Sequence, residues 1–190
     1  MNRFIFPLVC YLLLVSVLAV GIMRAPQKAV IPSALIGFQA PQFKLPVLAQ
    51  SKIFDSATLK GSWYLLNVWG TWCIECRAEH AILLAIAATN TIPLIGLNWK
   101  DQDTEAINWL KTLGNPYSLV VTDHESRVAI NWGVYGAPET FLVNNLGNVL
   151  HKHVGPMTDR VWKEEFLTRL ATATPNRVAN LTVQKIGGQR

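Results

Sequence analysis

Leu65-Leu66-Asn67-Val68-Trp69-Gly70-Thr71-Trp72-Cys73-Ile74-Glu75-Cys76-Arg77-Ala78-Glu79-His80 is the stretch that decides the fold. Residues 65 to 69 form a mostly apolar run and predict a buried strand, Gly70 and Thr71 predict a turn, and Ile74 onward predicts a helix with Ile82, Leu83 and Ile86 on one face. Cys73 then sits at a helix N-terminus, where unpaired N–H groups and the positive end of the helix dipole stabilise a thiolate. That makes Cys73 the nucleophile toward a disulfide. Cys76, one turn further on, can attack a mixed disulfide on Cys73 and release the partner, which makes it the resolving thiol.

A structural zinc site also uses Cys-x-x-Cys, but it needs about four ligands. The chain has three cysteines and no second pair, and His151 and His153 are spaced as alternate residues of a strand. A different class of protein, a metal or haem chaperone, would use Cys73 and Cys76 as soft ligands. The redox reading needs no bound metal and no cofactor beyond the cysteine pair.

The chain has 190 residues, is 51% hydrophobic and has a mean hydropathy of +0.25, high for a soluble protein. The excess lies at the N-terminus, where Phe4 to Met23 carry no charge between Arg3 and Arg24. A run of about 20 apolar residues predicts one transmembrane helix, giving an anchor over residues 1–24 with Cys10 inside it. A cleaved signal peptide is the competing reading, but the run exceeds the roughly 7–15 residues of a signal core and no clear A-x-A closes it. Either reading exports the remainder. Residues 25–36, with Pro26 and Pro32, read as a tether, residues 37–172 as the domain and residues 173–190 as a basic tail. The net charge of +5 comes from the two ends: residues 29–172 hold 11 basic and 12 acidic side chains, a net of −1. That leaves no electrostatic footprint for nucleic acid.

Along the domain, Ala40 to Leu48 alternates with prolines at its edges, as an added edge strand would. Ile92 to Trp99 predicts a buried strand, Asp103 or Thr104 caps a helix to about Leu113, Ser118 to Thr122 predicts a strand, and Ser126 to Trp132 a short helix. Pro138 marks the start of the strand Thr140 to Val143, because proline is excluded from a central strand. Asn144 to Asn148 turns a hairpin into Val149 to Val154. Thr158 or Asp159 then caps a final helix with Trp162, Phe166 and Leu170 on one face. Strands alternating with helices, then a hairpin and a closing helix, predict an α/β fold with a mixed central sheet flanked by helices.

Trp69-x-x-Trp72-Cys73-x-x-Cys76, with Ala137-Pro138 downstream, resembles a thioredoxin-like fold with its cis-proline loop. Asn67 to His80, together with Asn115-Pro116-Tyr117 and Gly133-Val134-Tyr135-Gly136-Ala137-Pro138-Glu139-Thr140-Phe141, resembles the DsbE/CcmG family, membrane-tethered thiol–disulfide proteins of cytochrome c maturation. The resemblance covers roughly residues 37 to 170. It implies a thiol-disulfide oxidoreductase on the periplasmic side of the inner membrane. There Cys73 and Cys76 cycle between dithiol and disulfide, charged by a membrane reductant of the DsbD/CcdA type. They discharge toward apocytochrome c or the maturation proteins that hold its haem-site cysteines. A broader periplasmic thiol reductase of the same fold is the neighbouring alternative.

The resemblance further implies that the Ala137-Pro138 bond is cis and, with the exposed Trp72, shapes the peptide site. It places Glu79 and Glu139 near the cysteines, where they modulate protonation, and Asn67 where ordinary thioredoxins carry a buried aspartate. The departure is Ile74-Glu75, where the family usually has Pro-Thr. Glu75 adds a negative charge beside Cys73, opposed in part by Arg77, so both are expected to tune the pair. Trp69 is expected in the core and His80 on the helix surface.

Overall fold

The N-terminal apolar run folds as a helix, α1 (Ile5–Met23), in the computed structural model, which describes residues 5–23 and 33–173. The free Cys10 is exposed on it. Its 19 residues rise about 28 Å, just under a hydrocarbon core of roughly 30 Å. Among the described residues no helix is by itself long and apolar enough to cross a membrane. The expected transmembrane helix is therefore not shown, and Phe4, the first residue of its apolar run, lies outside the described residues. Residues 25–32 of the expected tether and 174–190 of the basic tail lie outside them as well.

A second unit starts at Ser33. Its elements in order are β1 (Lys44–Pro46), β2 (Ile53–Asp55), β3 (Tyr64–Trp69), α2 (Ile74–Ala88), β4 (Leu94–Trp99), α3 (Asp103–Leu113), β5 (Leu119–Asp123), α4 (Arg127–Asn131), β6 (Glu139–Val143) and β7 (Val149–Val154). A closing helix follows: α5 (Asp159–Val161), a π-helical stretch Trp162–Leu167, and α6 (Thr168–Ala173). The sheet order is β5-β4-β3-β6-β7, with β3, β4 and β5 parallel and β6 and β7 antiparallel. The mixed sheet with flanking helices expected from the element order is the one observed.

β3 lies at the centre and is buried at all six positions. Successive side chains enter opposite layers, which is why the strand reads as a mostly apolar run. Leu65 and Trp69 join Leu83 and Ile86 of α2, Trp109 of α3, and Trp162, Phe166 and Leu170 of the closing helix. Leu66 and Val68 join Ile95, Leu97, Phe141, Val143 and Val128 of α4 on the other face. The C-terminal end of β3 leads directly into the cysteine turn, so the core holds the site's base rigid.

Three local expectations are corrected. Ala40 to Leu48 joins the main sheet only at its end: Lys44–Pro46 is strand and pairs with β2 in a separate two-stranded ribbon, while Val47 forms an antiparallel bridge with Val121 of β5 and Leu48 N–H donates to the Val120 carbonyl at 3.0 Å. Pro41 and Pro46 lack the N–H groups a longer ladder needs. The N-cap of α3 is Gln102, without a side-chain cap bond, and Asp103 falls in the first turn. Pairing with the sheet also begins inside the expected tether, since Ile36 bridges Val149 and Gly37 N–H donates to the Val149 carbonyl at 2.8 Å.

Candidate active site

The turn out of β3 is tight. Cys73 N–H donates to the Gly70 carbonyl at 3.1 Å, and a Cβ on Gly70 would come 2.5 Å from Nε1 of Trp72. Only glycine lets the indole fold back there. Cys73 is the N-cap of α2 with extended backbone, and its Sγ accepts a hydrogen bond from Cys76 N–H at 3.0 Å. The two sulfurs are joined in a disulfide, with the Cα atoms 5.3 Å apart. Reduced, Cys73 would keep the backbone donor and the positive end of a 15-residue helix, the setting that stabilises a thiolate. Around it Trp72 is 51% and Ile74 87% exposed, while both cysteines are buried.

Behind the disulfide is a buried polar network. Cys76 and Glu79 are three apart on α2, hence on one helical face, and Glu79 is fully buried. Its Oε1 accepts from Asn67 Nδ2 at 2.9 Å, and its Oε2 accepts from Met157 N–H at 2.6 Å. Asn67 Nδ2 also donates to Thr140 Oγ1 at 3.0 Å, and Tyr117 Oη donates to Asn67 Oδ1 at 2.8 Å. Burial pushes the Glu79 carboxyl up to about 7, against the two donors that favour its ionised form. Burial, reinforced by Glu79, holds the Tyr117 phenol well above its ordinary range. Tyr117 in turn stacks on Trp69, with ring centroids 5.4 Å apart.

Ala137–Pro138 is a cis peptide, and Pro138 immediately precedes β6. Glu139 pairs in register with Val68, and Asn67 with Thr140. Alternation therefore sends Glu139 to the face opposite Asn67 and Glu79. Glu139 is fully buried there; its Oε1 accepts from Tyr135 N–H at 3.1 Å and Gly136 N–H at 3.2 Å. Its Oε2 lies 2.9 Å from Lys152 Nζ, an ion pair not aligned as a hydrogen bond. Burial raises the Glu139 carboxyl, and Lys152 opposes the rise. The structure thus brings Cys73, Cys76, Trp72, Asn67 and Glu79 together on the turn and the sheet face covered by α2, and places the Glu139 side chain on the other face.

Residues 36–168 match the Redoxin family. A thiol:disulfide interchange protein DsbE of Yersinia pestis is 45% identical over 172 residues, covering 87% of this chain and 91% of the relative. The DsbE of Allochromatium vinosum is 43% identical over 165 residues, covering 86% and 90%. The chain belongs to the DsbE/CcmG family. A solved thiol:disulfide interchange protein of the thioredoxin family from Chlorobium tepidum TLS shares the fold at a TM-score of 0.54, with 26% identity over 71% of this chain and 97% of that one. This DsbE-family chain is a thiol-disulfide oxidoreductase with a thioredoxin-like α/β fold.

Within the DsbE frame, two neighbours of the cysteines differ from expectation. His80 is only 5% exposed: its Nδ1 accepts from Trp109 Nε1–H at 3.3 Å, and its Nε2 lies 3.0 Å from the Gly114 carbonyl, which fits a neutral ring protonated at Nε2. Helix α3 packs over this turn of α2, so a position that looks solvent-facing in the sequence is covered. Arg77 lies with its guanidinium 5.2 Å over the Trp109 ring, and among the described residues no ion pair joins it to Glu75. Glu75 is exposed in the first turn of α2.

Sequence reasoning missed Asp101. Its carboxylate accepts from Thr71 N–H and Thr71 Oγ1, both at 2.6 Å, from Asn98 Nδ2 at 2.8 Å and from Gln102 N–H at 2.9 Å. Trp72 Nε1–H donates to the Trp99 carbonyl at 3.0 Å, and the two indoles meet edge to face. The cysteine turn is therefore clamped to the end of β4. The only sequence signal was an Asp two residues beyond a predicted strand.

Proposed function

We propose that this protein is a membrane-anchored reductant of protein disulfides in the periplasm, serving cytochrome c biogenesis. Family membership supports the client class, apocytochrome c haem-site cysteines or the partner holding them, and a membrane thiol reductant of the DsbD/CcdA type as electron donor. The uncharged run Phe4 to Met23, helical over its described part, supports a single-pass inner-membrane anchor with the C-terminal domain outside.

The Cys73 thiolate attacks one sulfur of the substrate disulfide, forming a mixed disulfide and displacing the other substrate sulfur as a thiolate. The Cys76 thiolate then attacks Cys73 Sγ, closing the Cys73–Cys76 disulfide and expelling the second substrate thiolate. Two electrons pass to the substrate, and protons from the medium complete its dithiol. A dithiol donor reverses the sequence and recharges the pair. Trp72, Ala137 and Pro138 form the peptide-docking rim, and Glu79 takes up the proton that leaves Cys76.

Glu79 is the observation that carries the direction of electron flow. An ionised carboxylate one helical turn behind Cys76 repels a thiolate, which disfavours the reduced pair and makes the dithiol a stronger reductant. The test is the Cys73/Cys76 reduction potential of the full chain in detergent, equilibrated against a dithiol buffer. A value nearer thioredoxin at about −270 mV supports the reading, and one near DsbA at about −120 mV sinks it.

A further inference from the structure

The side-chain contacts of two buried charges point to a role for Lys152, a residue with no role in the chemistry above. Its side chain is 3% exposed, its Nζ donates to the Gly133 carbonyl at 2.9 Å, and it lies 2.9 Å from Glu139 Oε2. Nζ also lies 4.4 Å from the centroid of the Tyr135 ring. Glu139 Oε1 takes the successive N–H groups of Tyr135 and Gly136. The ammonium thus holds one end of the segment Gly133–Pro138, and the carboxylate holds its middle. The far end is tied by Gly155 N–H to the Pro138 carbonyl at 2.9 Å, three residues beyond Lys152 on the same stretch of chain.

A buried ion pair adds little stability over well-packed apolar groups, so what it supplies is orientation. What it orients here is the Tyr135 ring, 49% exposed, and the backbone leading into Ala137 and Pro138. Register places both charges on the sheet face away from Glu79 and Asn67. We infer that Lys152, together with Glu139, is a positioning residue that presets the segment Gly133–Pro138 for an extended polypeptide substrate, governing affinity for the peptide and not protonation of the cysteines. This rests on the reading of Ala137 and Pro138 as part of the peptide-docking rim.

The test uses the reduced full chain in detergent. It measures KM and kcat for a synthetic peptide with an internal Cys-x-x-Cys disulfide, with a dithiol present to recharge the Cys73/Cys76 pair, the exchange rate with the small disulfide DTNB, and the pKa of Cys73. Lys152→Met should raise the peptide KM about 10-fold, the scale of losing one preorganised element, while Lys152→Arg restores it by keeping the charge and donors. Because Lys152→Met strands a buried carboxylate, the double variant Glu139→Gln with Lys152→Met removes both charges together and should show the same KM rise. In Lys152→Met and Lys152→Arg the kcat and the Cys73 pKa should stay at the wild-type values. A peptide KM unchanged in the folded double variant overturns the assignment, as does a Cys73 pKa or DTNB rate that moves in step with KM in these single variants. Wild-type protein that saturates with the peptide no better than with DTNB removes the docking-rim reading itself, a separate failure visible before any variant is made.

Discussion

Tyr117 Oη donates to Asn67 Oδ1 at 2.8 Å, and that bond turns the amide so that Nδ2 faces Glu79 and Thr140. Four segments meet there: Asn67 from β3, Glu79 from α2, Thr140 from β6, and Tyr117 from the loop before β5. Tyr117→Phe keeps the ring stacked on Trp69 and leaves a buried carbonyl oxygen without its donor. The expected cost is about 1–2 kcal/mol in the urea unfolding of the oxidised protein, and a loss below the error of the measurement would mean that the amide re-pairs.

Glu79 makes stability depend on pH. Its carboxyl is pushed up to about 7 in the fold from an ordinary 4.5, so between those values the folded protein binds more protons than the unfolded chain. Stability is therefore highest below pH 4.5 as far as this group is concerned, and it falls as pH rises through 7, by at most about 3 kcal/mol. Urea midpoints at pH 5 and pH 8 should differ in wild type and converge in Glu79→Gln.

Cys76→Ser removes the resolving thiol and keeps the attacking one. A mixed disulfide between Cys73 and a peptide substrate should then accumulate and run as a heavier band on a non-reducing gel, released by dithiol. Cys73→Ser should give no such band. Trapping by Cys73→Ser and not by Cys76→Ser would reverse the assigned roles.

Glu75 stands exposed in the first turn of α2, between the cysteines. Its charge repels a Cys73 thiolate, so Glu75→Gln should lower the Cys73 pKa and shift the pair toward the dithiol. Titration of thiolate absorbance checks this: an unchanged or raised pKa would mean that the carboxylate serves only the helix dipole.

Asp101→Ala leaves the Thr71 amide and hydroxyl, the Asn98 amide and Gln102 N–H without their common acceptor. A loss of about 2–3 kcal/mol follows, because the Thr71 and Asn98 bonds are part-buried while that of Gln102 is exposed, with a weaker effect for Asp101→Asn. The same variant should loosen the turn that presents Trp72, which acrylamide quenching relative to a Trp72→Phe control would register.

The sequence by itself determined the elements whose signal is local. β3 appears as a mostly apolar run because both faces of a central strand are buried, and the helix start at Cys73 follows from the turn at Gly70 and Thr71. The hairpin Asn144 to Asn148 and the Trp162, Phe166 and Leu170 face of the closing helix were legible for the same reason. Tertiary structure alone decided the environment of the polar groups. Glu79 is bonded by Met157, 78 residues away, and Asn67 by Tyr117 and Thr140, 50 and 73 residues away, and no local period encodes such partners. His80 is covered because α3 packs across α2. The Glu139 side chain lies on the far face because the pairing of β6 with β3 joins it to Val68 and not to Asn67; a slip of one residue in that register would have sent it to the cysteine face.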